Sequence, residues 1–326
     1  MNKRIFVVVP VLNEEDHIEC LLKWLVETLP IGAKAYIVDG GSTDKTVSII
    51  KKWQEKYPDK IELLQNPNKY VPFAINMVIR RVNPQDEDII IRLDAHTHYA
   101  NDYFEKILLA FEESGSDIVG GPQRKKGLTP WQKAIAKATQ SPFGIGDSAI
   151  HFNYEGPTDT VYLGAWKGKV FRAIGLFDES LPCNEDEEFH YRAKNAGLKI
   201  YQTPEIKAFY LPRKNLPTLF KQYFRYGYYK PEVIFCKTKR GHARHLVPAL
   251  FVAYLVALPV LVLWHWGFAL PLLVYLLLDV AFAFKYADSI KEALRIMAVY
   301  PVLHIAYGSG FWLGLWRLVR CWLKIN

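Results

Sequence analysis

The sequence is poor in cysteine and methionine, with 4 and 3 among 326 residues. The cysteines lie apart along the chain and show no CxxC spacing; they are Cys20, Cys183, Cys236 and Cys321. This distribution argues against a disulfide scaffold or a zinc ribbon. We expect reduced, structural thiols in a cytosolic domain.

Nucleic-acid signatures are also missing. No helix-turn-helix or zinc-finger pattern is visible, so the net charge of +8 does not predict nucleic-acid binding. The first residues, MNKRIFVVVPVLNEE, contain an apolar core that is soon broken by Pro10 and followed by acids. We interpret this segment as the first strand of a domain and not as a signal peptide.

Charge is scarce toward the C-terminus. Residues 246–264 contain no charged side chain, and at ~1.5 Å per residue a helix of this length matches the ~30 Å of a bilayer core. Residues 267–284 form a second apolar run with a single acid, Asp279. Both runs predict membrane-spanning helices. Buried core helices of a soluble protein are the alternative.

A third apolar stretch, residues 296–316, is less regular. His304 and the Gly308-Ser309-Gly310 triplet interrupt it. It could span, re-enter or lie in the interface. With the two earlier runs it defines a predicted membrane domain over residues 246–326.

Positive residues flank the apolar runs. They are Lys237, Lys239, Arg240 and Arg244 before the first run, Lys285, Lys291 and Arg295 between the second and third, and Arg317, Arg320 and Lys324 after the third. By the positive-inside rule the first two clusters, and with them the N-terminal domain, lie in the cytosol. The same rule favours a cytosolic tail after the third stretch, which argues for re-entry or an interfacial helix there. We therefore predict a multi-pass protein of the cytoplasmic (inner) membrane, whose excess positive charge meets anionic lipid.

Strand and helix patterns alternate through the first half, which predicts an α/β fold with a mostly parallel sheet. The predicted strands cover residues 4–9, 35–38, 61–64, 88–93 and 117–121, and the predicted helices cover 14–28, 44–56, 72–81 and 102–113, with Asn101 as the N-cap of the last. These elements predict a domain over residues 1–212. A helix at 215–230, within a predicted segment 213–245, mixes aromatic and basic residues. It either lies at the membrane interface or packs on the main sheet.

Carboxylates end two of these strands, and others lie further along the chain. Asp39 follows the apolar run AYIV, Asp94 follows DIIIRL, and Glu185 and Asp186 lie in NEDEEFHYR. Open α/β sheets bind ligands at the carboxyl edge of their strands. Acidic side chains at that edge are either exposed to solvent or bind a group that has hydrogen-bond donors or a positive charge.

VVVPVLNEE followed by VDGGSTDKT resembles the opening of glycosyltransferase family 2, inverting enzymes with the Rossmann-like GT-A fold. The resemblance implies a UDP-sugar as donor. It also implies the residues that border the nucleotide, which are Pro10, Val11, Asn13, Glu15, Asp39, Gly41 and Ser42.

Within this set the resemblance assigns Asp39 to the uracil ring. A carboxylate can accept from the imide N–H, and Gly40 and Gly41 allow the backbone to approach a ligand closely. The alternative is that Ser42 or Thr43 only caps the following helix.

LDAH at residues 93–96 occupies the place of the family's DxD metal motif. The resemblance implies that Asp94 binds the metal and the nucleotide, while His96 replaces the usual second acid. Hard oxygen ligands suit Mg²⁺ or Mn²⁺ beside a diphosphate leaving group. An imidazole favours Mn²⁺ of the two. The alternative for His96 is a loop histidine that solvates the strand end.

NEDEEFHYR matches the family's ED-x-x-hydrophobic-x-x-R block, which implies that Asp186 is the catalytic base with Glu185 beside it. Displacement of the nucleotide by an acceptor hydroxyl needs a base that takes the hydroxyl proton. The alternative is a capping box, since Asn184 and Glu187 have N-cap and N3 spacing.

QYFRYG at residues 222–227 stands where processive members carry QxxRW. The resemblance implies that Gln222, Arg225 and Tyr226 contact the donor diphosphate or the acceptor, and the change of Trp to Tyr argues against processivity. Arginine binds anions in bidentate geometry. An arginine at the membrane interface is the alternative.

Together these motifs and the C-terminal runs are similar to the ExoA-type branch of the family, the succinoglycan-biosynthesis glucosyltransferases. The similarity implies transfer of one hexose, glucose by analogy, from a UDP-sugar to a polyprenyl-diphosphate-linked glycan. Transfer to polyprenyl phosphate itself is one alternative. A transporter with a nucleotide-binding domain is another, with Asp279 and His304 as its polar path; an unpaired acid at mid-bilayer costs ~2.5–3.5 kcal/mol.

Overall fold

The computed structural model describes residues 3–146, 154–239 and 243–325. Arg240, one of the predicted flanking cations, lies outside the described residues, as do the side chains of Arg244 and Lys324. The chain divides into two units. Among the described residues, the first unit comprises those up to Arg124 and those from 154 to 210, and the second comprises residues 125–146 and 211–325.

The secondary-structure elements follow one another in the order that the sequence predicts for the first half. The strands are β1 Ile5–Val11, β2 Lys34–Asp39, β3 Ile61–Gln65, β4 Ile89–Arg92, β5 Thr97–Tyr99, β6 Ile118–Gly121, β7 Gln123–Lys125, β8 Gly156–Pro157, β9 Tyr162–Lys167, β10 Ile200–Gln202 and β11 Ala208–Tyr210. The helices are α1 Ile18–Thr28, α2 Thr46–Lys56, α3 Val71–Val82, α4 Tyr103–Ser114, α5 Pro130–Ala138, α6 Pro142–Ile145, α7 Gly168–Ile174, α8 Glu185–Asn195, α9 Leu216–Pro231, α10 Ala243–Trp264, α11 Leu270–Tyr286 and α12 Ile290–Ile325. The five predicted strands and four predicted helices of this half are all confirmed.

The first unit is built on an eight-stranded sheet in the order β3-β2-β1-β4-β9-β6-β10-β8. Strands β1 to β4 pair in parallel, as do β6 and β10, whereas β9 runs antiparallel to both its neighbours. The sheet is therefore mostly parallel, as predicted. Its parallel strands place the ends of β1, β2 and β4 at one edge.

Both faces of this sheet are covered, because β1 is apolar on both sides. Val7 and Val9 point into a core that includes residues of α1 and α4, while Phe6 and Val8 point into a second core with residues of α3 and α8. Strands buried on both faces are typical of parallel sheets between helices. The prediction of Asn101 as N-cap of α4 is wrong: the N-cap is Asp102, and its side chain makes no capping bond.

The second unit contains the apolar helices. Within the described residues, three helices are long and apolar enough to cross a membrane: His245–Trp264, Trp266–Tyr286 and Ile290–Arg320, with mean hydropathy 2.6, 2.1 and 1.3. The first two have little of their surface buried in the protein, whereas almost half of the third is buried. The two predicted spans are thus confirmed in length and composition, and the third stretch also has the length to span.

Helix α9 packs on α12 with their backbones in contact. A Cβ at Gly227 would clash with the carbonyl oxygen of Tyr307, and a Cβ at Gly310 would clash with that of Phe224. The predicted helix at 215–230 is confirmed, and within its unit it packs on a helix. The glycines that interrupt the third apolar stretch do not break α12. Gly310 allows the close approach of α9, and Gly308 allows that of α10, where a Cβ would clash with the carbonyl oxygen of Pro248.

Candidate active site

The loops that follow β1 and β2 are tied together by hydrogen bonds. The backbone N–H of Asn13 donates to Ser42 Oγ at 2.8 Å, and the N–H of Thr43 donates to Asn13 Oδ1 at 2.8 Å. The N–H of Lys45 donates to Glu15 Oε2 at 3.1 Å. Asn13 adopts a left-handed φ of 55°, which asparagine tolerates better than most residues. The side chains of Asn13 and Glu15 therefore shape the loop pair, and their contact with a nucleotide stays a prediction.

Pro10 and Val11 form the end of β1 beside these loops. Val11 is buried and its carbonyl accepts from the N–H of Gly40 at 2.8 Å, while Pro10 is partly exposed. This bond closes the edge of the sheet where the two loops begin. The predicted position of these residues beside a ligand crevice agrees with their place at the strand end.

Asp39 is the last residue of β2, as predicted, and its side chain is buried. Its carboxylate accepts from the backbone N–H groups of Gly41 and Ser42 at 3.1 Å each. Gly41 has a φ of 88°, a conformation that disfavours any side chain. Asp39 therefore organises the turn, and a carboxylate has acceptor capacity left for a ligand N–H.

The alternative role of Ser42 or Thr43 as a helix cap is wrong. The N-cap position of α2 is Lys45, which makes no side-chain capping bond. Ser42 Oγ instead accepts from Asn13. The Ser42 hydroxyl therefore links the two loops and does not cap the helix.

Asp94 follows the end of β4 and lies at the same edge. Its backbone N–H donates to the Tyr99 hydroxyl at 2.8 Å, and that hydroxyl donates to the Asp94 carbonyl at 3.1 Å. Burial raises the pKa of Tyr99 well above its usual value, so the phenol stays protonated and able to donate. The turn is fixed, and 18% of the Asp94 side chain is exposed.

His96 pairs with an acid from the first loop. Its Nδ1 lies 3.0 Å from Glu14 Oε1. An ionised carboxylate only accepts, so Nδ1 carries a proton, and in the neutral ring Nε2 carries the lone pair. Histidines that bind metals usually donate their other N–H to a carboxylate in this way. The contact favours the metal-ligand interpretation of His96 over a loop histidine.

The donor atoms fit a metal that is bound together with a diphosphate. Within the described residues no group of three or more His, Cys, Asp or Glu side chains is placed to hold a metal ion alone. Mg²⁺ at nucleotide sites is usually held by one or two carboxylates, with phosphates and waters as the other ligands. Asp94 and His96 offer such a partial set, with an oxygen and a nitrogen.

Arg92, the last residue of β4, connects this metal-site candidate to α8. Its Nε lies 3.3 Å from Asp94 Oδ1, and its Nη1 lies 3.1 Å from Glu185 Oε1. Burial alone would lower the pKa of Arg92, but Asp94, Glu185 and Asp186 raise it, so the guanidinium stays charged. A single side chain thus brings the two acidic segments together.

Glu185 and Asp186 lie in different environments at the start of α8. The Glu185 side chain is only 9% exposed, and burial together with the charge of Asp186 raises its pKa, which Arg92 opposes. Asp186 is partly exposed, and its Oδ1 accepts from the N–H of Glu187 at 2.8 Å. Of the implied catalytic pair, Asp186 is the acid that solvent reaches.

The capping-box alternative for this helix is wrong. Asn184 is at the N-cap but has a left-handed φ of 64° and makes no side-chain capping bond. A different acid of this turn, Glu188, forms an i,i+4 ion pair with Arg192, with 2.6 Å between Glu188 Oε1 and Arg192 Nε. Arg192 also donates to the carbonyl of Leu176 at 2.9 Å, which anchors α8 to the preceding loop.

His190 is a buried residue of α8 that sequence reasoning missed. The Trp166 indole N–H donates to His190 Nε2 at 3.4 Å, so the proton lies on Nδ1, which donates to Thr160 Oγ1 at 2.8 Å. Burial lowers the pKa of His190 well below its usual range, which keeps the ring neutral. The ring ties α8 to β9 and the loop before it.

The residues of the QYFRYG motif lie on α9, in the second unit. The Gln222 amide donates to the Tyr226 hydroxyl at 2.9 Å and accepts from Arg213 Nε at 3.3 Å. Arg225 is exposed. Their contact with a donor or an acceptor stays a prediction.

Known proteins resemble this chain in sequence and in fold. The family described as Glycosyl transferase family 2 matches residues 6–168. The chain is 31% identical to the succinoglycan biosynthesis protein ExoA of Rhizobium meliloti strain 1021 over 310 residues, which cover 94% of this chain and 93% of that protein. The chain belongs to glycosyltransferase family 2. Membership favours a glycosyltransferase over the transporter alternative.

A second relative in sequence and a solved structure with the same fold were also found. A Methanococcus voltae enzyme named dolichyl N-acetyl-alpha-D-glucosaminyl phosphate 3-beta-D-2,3-diacetamido-2,3-dideoxy-beta-D-glucuronosyltransferase is 29% identical over 233 residues, 68% of this chain and 71% of that one. The mannosyltransferase PcManGT from Pyrobaculum calidifontis, solved with GDP-Man and Mn²⁺, superposes with a TM-score of 0.61 at 17% identity and covers 97% of this chain and 88% of its own. The predicted GT-A fold is confirmed.

Two of the residues that the sequence did not reveal share one signal. Arg92, whose side chain is 13% exposed, ends an otherwise apolar strand, and His190 is a buried polar residue of α8. Glu14 only adjoins the predicted Glu15. A buried polar group needs a partner, so such positions mark residues with specific contacts. The partner itself could not be named, because it comes from a distant part of the chain.

Proposed function

We propose that this family 2 enzyme is an inverting, metal-dependent glycosyltransferase that moves one hexose from a UDP-sugar, UDP-glucose by analogy, to a lipid-linked glycan in polysaccharide biosynthesis. The main support for the proposal is that the guanidinium of Arg92 donates hydrogen bonds to both Asp94 and Glu185. These bonds support the proposal because Asp94, the proposed metal ligand, lies close to the helix end that bears Asp186.

Donor binding is assigned to the loops after β1 and β2. Asp39, held by Gly41 and Ser42, is the residue proposed to accept from the uracil N–H. A solved structure of this fold binds GDP-Man, and a carboxylate can accept from the N–H groups of guanine as well as of uracil, so the choice of uridine rests on the family resemblance.

The diphosphate is assigned to Asp94 and His96 through Mn²⁺ or Mg²⁺. When bound, the ion would neutralise charge on the diphosphate leaving group. The neighbour solved with Mn²⁺ and the Glu14 contact of His96 both support this assignment. Asp94 supplies the hard oxygen ligand and His96 the nitrogen that favours manganese.

Asp186 is proposed to take the proton of the acceptor hydroxyl as that oxygen attacks the sugar from the face opposite the leaving group. One displacement of this kind inverts the anomeric carbon and needs a single base. Asp186 is partly exposed, so an acceptor can reach it, and it lies at the start of α8, where the helix dipole favours a negative charge.

The acceptor is proposed to be a glycan on a polyprenyl diphosphate, reached from the cytosolic face of the inner membrane. Two apolar helices expose most of their surface, and Trp264 and Trp266 lie exposed at the turn between them, as is common at a membrane interface. The Methanococcus voltae relative is named for a lipid-phosphate-linked sugar acceptor, which favours such an acceptor over bare polyprenyl phosphate.

UDP release by the full chain, reconstituted in vesicles with Mn²⁺, tests the function. We expect release from one UDP-hexose in a panel of nucleotide sugars, and we expect it to require extracted lipid-linked glycan. Release that depends instead on polyprenyl phosphate would favour the alternative acceptor. No transfer from any nucleotide sugar to either lipid would overturn the proposal.

Replacing Glu14 with alanine tests the metal role of His96. We expect the Mn²⁺ concentration for half-maximal activity to rise ~10–100-fold, as is typical when the partner of a ligating histidine is lost. A Mn²⁺ titration of transfer rates measures this, with Glu19→Ala, an exposed acid of the following helix, as the control. An unchanged Mn²⁺ requirement in Glu14→Ala would favour a loop role for His96.

A further inference from the structure

Arg92 is a charged residue in a strand that is otherwise apolar. The other three residues of β4, Ile89, Ile90 and Ile91, are fully buried, and the side chain of Arg92 is 13% exposed. A buried charge is costly unless it is paired and hydrogen-bonded. The presence of arginine here therefore requires a compensating contact, and the residues it contacts indicate its role.

Those contacts join two elements far apart in the sequence. Nε reaches Asp94 Oδ1 and Nη1 reaches Glu185 Oε1, which is 93 residues from Arg92. The guanidinium is planar and rigid, so two of its nitrogens hold two carboxylates at a fixed separation. One oxygen of Asp94 is oriented by Arg92, which is how ligating carboxylates are usually held.

We propose that Arg92 is a positioning residue that aligns the metal ligand Asp94 with the start of α8, so that the metal site and the base Asp186 form one unit. The proposal rests on the proposed function. Arg92 touches neither donor nor acceptor in this arrangement and acts through the two carboxylates. Because Glu185 precedes Asp186, the bond from Nη1 also fixes the helix turn that carries the base.

Loss of this alignment has two expected effects. Arg92→Met keeps an apolar stem of similar length and removes both bonds; we expect the dissociation constant of Mn²⁺ in the presence of UDP to rise ~10–100-fold. We also expect a lower kcat, because the base is no longer held. Arg92→Lys has a single ammonium group in place of the planar guanidinium, so we expect it to keep one of the two contacts. Its Mn²⁺ dissociation constant and its kcat should therefore lie between those of wild type and Arg92→Met.

Mn²⁺ binding is measured directly from the electron paramagnetic resonance signal of free Mn²⁺, on the full chain with UDP, alongside kcat and melting temperature. Arg4→Met is the matched control, since Arg4 pairs with Asp88 at 2.6 Å at the opposite end of the same sheet. We expect Arg4→Met to lower the melting temperature and leave Mn²⁺ binding unchanged.

Glu185→Gln tests the same proposal independently of any change at Arg92. It keeps the Arg92–Asp94 contact and weakens the second, so we expect reduced kcat with a smaller change in Mn²⁺ binding than in Arg92→Met. The double variant Arg92→Met with Glu185→Gln should lose less than the sum of the two, because both changes remove the same bond.

Wild-type Mn²⁺ binding and kcat in Arg92→Met would overturn the proposal, as would a loss of stability alone that Arg4→Met reproduces. If Arg92→Met does not fold, wild-type values in both Arg92→Lys and Glu185→Gln have the same meaning. Failure of the proposed function is distinct: the wild-type chain would then transfer no sugar with Mn²⁺, whatever the variants bind.

Discussion

Asparagine at position 186 is expected to lower turnover ~10²–10⁴-fold and to leave UDP affinity near the wild-type value. The amide is nearly isosteric with the carboxylate, and its oxygen can still accept the Glu187 N–H that Asp186 accepts at 2.8 Å. It cannot take the proton of the acceptor hydroxyl. Transfer rates and calorimetric UDP binding, measured on the same preparations, separate the two effects.

Glu187→Gln is the matched control for this change. Glu187 is a partly exposed acid of the same helix turn, and we expect near wild-type turnover when it is neutralised. If Asp186→Asn transfers sugar at the wild-type rate, or fails only because UDP no longer binds, the base lies elsewhere. Glu187 is then the next candidate, since Glu185 is held by Arg92.

The part of the site that the sequence predicts well is local. The apolar runs before Asp39 and Asp94 predict that each lies at the end of a strand. Asp39 is the last residue of β2, and Asp94 lies two residues beyond the end of β4. The parallel sheet then follows from the alternation of strands and helices, which requires crossover connections. Patterns within about ten residues therefore locate the edge of the sheet and the acids on it.

The contacts within the site could not be predicted, because they join distant segments. Glu14 and His96 are 82 residues apart, and Arg92 and Glu185 are 93 apart. Nothing in the local pattern of NEE or RLD specifies these pairs. The helix-cap predictions at Asn101, Ser42 and Asn184 are also wrong. For Ser42 the reason is visible, because its hydroxyl accepts from the N–H of Asn13 in the neighbouring loop.

The sequence pattern also does not predict that residues 125–146 belong to the same unit as the C-terminal helices. Phe143 stacks on Phe282 of α11 at 5.2 Å, and His304 of α12 donates from Nε2 to the Phe143 carbonyl at 2.9 Å. His304 is thus a packing residue within its unit and not an isolated polar group of a transport path. A short helix between two strands of the first unit carries no signal that it packs on apolar helices more than 130 residues later.

Removal of the divalent ion is expected to abolish transfer, and Mn²⁺ should restore it at least as well as Mg²⁺. An ion at a diphosphate stabilises the transition state by several kcal/mol, so we expect a loss of ~10²-fold or more. The same argument predicts that Asp94→Asn weakens metal-dependent UDP binding, because the amide oxygen carries no charge and therefore binds both the metal and Arg92, which is 3.3 Å from Asp94 Oδ1, more weakly.

Calorimetry of UDP binding with and without Mn²⁺ tests Asp94→Asn, with Asp59→Asn as the control because Asp59 is an exposed acid before β3. We expect Mn²⁺ to strengthen UDP binding in wild type and in Asp59→Asn, and to have little effect in Asp94→Asn. This result would differ from that of Asp186→Asn, in which the metal effect on UDP is kept and turnover is lost. Full transfer in excess chelator would remove the metal from the reaction, and His96 would then be a loop histidine that pairs with Glu14.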